Sequence, residues 1–138
     1  MSACGSARSD EDAPAGAVDP TEPAVDADSD LVESIGKQLT KALSLALATG
    51  TSVPGLRPLA RRLTSLHRAH LDELSQPDQA DGGKVAGSVE TARARLLRSE
   101  EQLQGRLVRA ALDAESGALA QVLASMAAAV AQERAVAS

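Results

Sequence analysis

Leu56-Arg-Pro-Leu59-Ala-Arg-Arg-Leu63-Thr-Ser-Leu66-His67-Arg-Ala-His70-Leu-Asp-Glu-Leu74 is the stretch that decides the fold. Leu56, Leu59, Leu63, Leu66 and Leu74 recur at intervals of three, four or eight residues, which gathers them on one face of an α-helix. The charged residues between them fall elsewhere on the wheel. Pro58 fits the first turn, where a missing N–H costs nothing. The pattern predicts a helix over residues 56–75.

The same spacing extends in both directions. Upstream, Leu31, Ile35, Leu39, Ala42 and Ala46 share a face, which predicts a helix over 31–48. Asp30-Leu-Val-Glu33 has the form of a capping box at its start. Thr49-Gly50-Thr51 closes it, and Pro54 enforces the break. Downstream, residues 76–83 (Gln-Pro-Asp-Gln-Ala-Asp-Gly-Gly) form a loop. A third helix begins at Ser88, which caps it ahead of Glu90, and runs to 114. Its face holds Val89, Ala92, Leu96, Leu103, Leu107, Ala110 and Ala114. Ser116-Gly117 breaks the chain and caps a fourth helix to the end, with Leu119, Val122, Leu123, Met126 and Val130 inward. The expected fold is therefore all-α. Amphipathic helices with short connections favour an antiparallel four-helix bundle in up-down-up-down order.

The 138 residues contain no Phe, Trp or Tyr, one Cys and two His. Without aromatics the chain has no platform for stacking bases or sugars, and with its acidic net charge nucleic acid is not the expected partner. One Cys excludes an internal disulfide and a Cys-rich metal site. The core must be built of Leu and Ala. Residues 117–132 carry no charge but are too short and too weakly apolar to span a bilayer.

The charge of −5 is unevenly placed. Residues 1–30 hold eight acids and one base, so this segment carries −7 and the remainder +2. Its acids and prolines, with no run of large apolar residues, read as a disordered acidic tether ahead of a domain over 31–138. Met1-Ser2-Ala3-Cys4 resembles a bacterial lipobox, in which small residues precede a Cys that becomes lipid-modified. No basic or apolar stretch precedes Cys4. The expectation is a lipidated Cys4 with a true start lying upstream. The alternative is a cytoplasmic protein that begins at Met1 and keeps a free thiol.

Four ionisable residues lie on the apolar faces. His67 and His70 stand about 20° and 40° from the centre of the second helix's stripe at 100° per residue. Glu100 sits on the shoulder of the third, between Leu96 and Leu103. Glu133 lies near the middle of the fourth. Glu100 and Glu133 stand equally far from the Ser116-Gly117 turn, so one layer should hold both, with the imidazoles at about the same level. Inward carboxylates are costly unless paired. Glu and His on facing helices are how bundles bind iron or manganese, so His67, His70, Glu100 and Glu133 are the candidate metal ligands. The plainer reading is a Glu–His hydrogen-bonded cluster that fixes helix register, and the thin ligand set favours it. No catalytic residue is expected, because Cys4 has no nearby base. A row of Arg95, Arg98, Arg106 and Arg109 lies away from the apolar face. It is read as a solvated face or as a contact for anionic lipid or for the acidic tail.

Leu59 to Leu74, then Ala94-Arg-Leu-Leu-Arg-Ser-Glu100, then Leu119-Ala-Gln-Val-Leu-Ala-Ser-Met126-Ala-Ala resemble the ferritin-like domain of unknown function found in lipoproteins of high-GC Gram-positive bacteria. The resemblance covers residues 31–136 and the lipobox-like start. It implies a ferritin-like bundle on the extracytoplasmic face of the cell membrane, held by a palmitate-type anchor. Metal-binding ferritin-like proteins place a Glu on each of two helices and Glu-x-x-His on the other two. This sequence departs from that pattern: Glu33 points away from its stripe, the second helix offers His67-x-x-His70, and the fourth offers Val130-x-x-Glu133. The expected function is a non-enzymatic membrane-tethered lipoprotein of the cell envelope, with no cofactor and with an envelope protein as the candidate partner. The alternatives are a divergent iron- or manganese-binding protein and a cytosolic helical adaptor with an acidic tail.

Overall fold

The computed structural model describes the backbone of residues 22–138 and the side chains of residues 27–138. Cys4 and the acidic stretch before Glu22 lie outside the described residues. Four α-helices form a bundle: α1 (Glu22–Ser52), α2 (Arg57–Glu73), α3 (Val89–Asp113) and α4 (Gly117–Ala137). A 3-10 turn over Pro54–Leu56 joins α1 to α2. No strand occurs among the described residues.

Helix α1 is longer at both ends than its apolar spacing predicts. Near its start, Asp28 accepts hydrogen bonds from the backbone N–H groups of Glu115 and Ser116 at 2.9 and 3.0 Å, which ties this turn to the bundle. At its end, Thr49 and Thr51 do not stop the helix. Their hydroxyls donate back to the carbonyls of Leu45 and Leu47, a bond that a helix interior accommodates. Gly50 lets α2 approach closely: a Cβ there would stand 3.0 Å from that of Ala60.

The other boundaries follow local chemistry. Ser88 and Ser116 cap α3 and α4, their hydroxyls accepting from the N–H groups of Thr91 and Leu119. Helix α2 ends in a Schellman motif. The N–H of Gln76 bonds to Leu71 O and that of Ser75 to Asp72 O, with Ser75 left-handed at φ 53°.

The order of helices around the bundle differs from the order in the chain. Helix α1 packs on α2 and α3, and α4 packs on α3 and α2. Helices α2 and α3 therefore face each other across the core, although they are consecutive in sequence. Residues 74–88 make the return between them. Asp78 is held by Arg68 at 2.9 Å, and the N–H of Val85 donates to Ser52 Oγ at 3.0 Å beside the α1–α2 turn. Val85 packs there on Val53, Leu56 and Ala92. This connection is longer than those between α1 and α2 and between α3 and α4.

The core is Leu and Ala, as the missing aromatics require. Leu39, Leu43, Leu96, Leu107, Leu123 and Val130 have no exposed surface. Leu43 and Leu71 join it beyond the stripes read from sequence, whereas Val89 is left exposed at the edge. None of the described helices is long and apolar enough to cross a membrane.

Candidate functional site

The polar residues at the centre of the bundle come from α2 and α3. His67 sits one turn beyond Leu63 on the inward face of α2, and Glu100 one turn beyond Leu96 on that of α3. Because these helices face one another across the core, the two side chains meet in its middle. His67 Nε2 lies 3.0 Å from Glu100 Oε1, and both side chains are 0% exposed. With Nε2 protonated, the imidazole donates and the carboxylate accepts. The sequence expectation that His67 and Glu100 share a layer is met.

His70 stands one turn further along α2 and is also buried. Its ring centroid is 6.3 Å from that of His67, with the planes tilted by 56°. Burial pushes its imidazole down to about pH 4, and the nearby His67 ring adds to the shift. Three buried atoms here lack a hydrogen-bond partner: Nδ1 of His67, Nδ1 of His70 and Oε2 of Glu100.

Glu133 does not join the expected partners. Its carboxylate accepts from Arg62 Nε at 3.0 Å on the α2/α4 flank and is 28% exposed. Helix α4 carries Ala on almost every side, so its wheel has no sharp polar boundary, and Arg62 supplies a partner at the rim. Glu33 on α1 is exposed and bonded to Lys37 at 2.6 Å, and that hydrogen bond holds its carboxyl below the ordinary range.

A two-metal carboxylate centre needs donors from all four helices. Here Glu33 of α1 and Glu133 of α4 turn to the surface, and one nitrogen of His67 is engaged by Glu100. Among the described residues, no three His, Cys, Asp or Glu side chains come together to hold a metal ion. The residues present do not fit such a centre. What the arrangement does chemically is lock two facing helices at one register through a buried polar contact.

The arginine row lies along the seam between α1 and α3. Arg106 and Arg109 line a groove of about 550 Å³ with Ser34, Gln38 and Gln102. Arg95 and Arg98 line its continuation with Lys41. Asp28, placed by its sequence context in the tether, is instead a structural cap on the α3–α4 turn. No local sequence signal pairs residues this far apart.

Comparison of the chain with protein-family models, curated proteins and solved structures found no match.

Proposed function

We propose that this chain is a non-enzymatic lipoprotein of the cell envelope, anchored on the extracytoplasmic face through lipidated Cys4, whose helical bundle is a structural or interaction domain. The observation that carries the non-enzymatic part is the closure of His67 on Glu100 in the core. Both are fully buried, so no substrate reaches the groups best suited to acid–base work. The anchor rests on Met1-Ser2-Ala3-Cys4 and on the acidic stretch that would separate a bundle from lipid headgroups.

The finer fold reading is an antiparallel, ferritin-like bundle. What supports it is the connectivity. Two directly packed pairs, α1/α2 and α3/α4, are joined by one long return over residues 74–88, and one long crossover is the ferritin-like pattern. Contacts of Gly36 with Gln76 and of Gly50 with Ala60 favour opposite directions within the first pair.

Mass spectrometry of the protein isolated from its native cell tests the anchor. A diacylglyceryl modification on Cys4, with Met1 to Ala3 removed and the protein in the membrane fraction, is expected. An unmodified Cys4 or a retained Met1 would overturn it in favour of the cytosolic adaptor. The second reading, a divergent iron- or manganese-binding protein, is favoured by one observation, the three unpartnered polar atoms of His67, His70 and Glu100. Metal loading of the purified chain separates it from the first.

A further inference from the structure

We infer that the α1/α3 seam is an anion-binding surface and that its occupant is this chain's own acidic segment, Asp10-Glu11-Asp12. Four arginines (Arg95, Arg98, Arg106 and Arg109) and Lys41 are exposed along this seam. None of these five forms an ion pair among the described residues, and no other stretch of α3 gathers as many cations on one face. The two grooves along the seam, of about 550 and 530 Å³, share Gln102 and so form one track. Asp113, at one end, is the one carboxylate that lines it. Such a row offers planar, fixed-charge donors that match carboxylates.

The place where the chain enters the bundle selects the occupant. Asp28 is bonded to Glu115 and Ser116, so α1 begins at the Arg109 end of the seam. Glu22 lies about 9 Å beyond Asp28 along α1, and Arg109 about 10 Å back from Ser116, at 1.5 Å per residue. The span from Glu22 to Arg109 is therefore about 20 Å. Nine residues connect Asp12 to Glu22. Fully extended, nine residues reach about 30 Å, more than the span. Covalent connection at this length raises the local concentration of the acids at the seam to roughly the millimolar range. Arg98 and Arg95 lie a further 16–21 Å along the helix, by the same rise of about 1.5 Å per residue, so the acids settle on Arg106 and Arg109 first. An anionic membrane is the weaker candidate, because the whole chain carries −5 and its −7 segment repels such a surface.

The single cysteine makes the test simple and does not depend on whether Cys4 carries lipid in the cell. The full chain, made without lipid, takes a nitroxide label on Cys4, and broadening of backbone amide signals is read by NMR. Amides of Gln102 to Asp113 are expected to broaden roughly two-fold or more beyond those of the α2/α4 face. The contrast should collapse at about 1 M NaCl, where the screening length is about 3 Å. It should also be lost in Asp10→Asn/Glu11→Gln/Asp12→Asn and in Arg106→Gln/Arg109→Gln, all of which are surface or tail changes. Even broadening over the bundle, or a contrast untouched by either variant, would overturn the inference. So would a silent seam that broadens only when anionic phospholipid vesicles are added, which would assign it to lipid headgroups.

Discussion

Removing one partner of the buried pair should cost far more than removing both. His67 and Glu100 meet at 3.0 Å with no exposure, and Nδ1 and Oε2 already lack partners. His67→Leu leaves both oxygens of Glu100 unpaired among Leu and Ala side chains, an uncompensated buried acid that costs about 3–5 kcal/mol. Glu100→Leu leaves only an imidazole unpaired, which costs about 1–3 kcal/mol. The double variant replaces the pair by apolar groups of similar size. It should lie within about 1 kcal/mol of the parent or be more stable. The coupling between the two sites is then at least about 3 kcal/mol, a sizeable part of the roughly 5–15 kcal/mol that holds a domain folded. The chain has no aromatic residue to fluoresce, so urea unfolding is followed by far-UV circular dichroism with equal slopes for all four proteins. Losses that simply add in the double variant would refute the reasoning, as would a His67→Leu cost under about 1 kcal/mol.

His70 predicts a pH dependence. Burial holds its imidazole down at about 4 in the folded chain against an ordinary value of 6.5, so between these values the unfolded chain binds a proton that the folded one refuses. Stability therefore falls as pH drops from about 6.5 to 4, by about 3 kcal/mol from this group. Urea midpoints of the parent minus those of His70→Gln across that window isolate the effect, and a flat difference contradicts it. Ser75 carries a side chain in the left-handed region, so Ser75→Gly should raise stability by about 1 kcal/mol in the same assay. Asp28→Ala removes two hydrogen bonds to the α3–α4 turn and should cost about 1–2 kcal/mol. Faster amide exchange at Glu115 and Ser116 should accompany that loss.

Much of this architecture was legible in the residues. Leucines at three- and four-residue spacing, the caps at Ser88 and Ser116, and Pro54 after α1 are local signals, and the structure obeys them. The inward placement of His67 and Glu100 also follows from stripe position. The remainder depends on contacts between distant residues. The capping role of Asp28 depends on a turn some ninety residues later, and the turn of Glu133 towards α2 on the presence of Arg62. The placement of α2 opposite α3 depends on residues 74–88 running back towards the first turn, and an assumption of short connections hid it. Ser75 in a left-handed cap carries no sequence mark, because glycine is the residue that advertises that conformation.

We propose that the polar core is a register lock and not a metal centre. Native mass spectrometry of the full chain tests this most directly, after equilibration with iron(II), manganese(II) or zinc(II) and removal of free ion. The mass of the bare chain and an unchanged melting temperature are expected. One retained ion per chain, lost in Glu100→Gln, would contradict it.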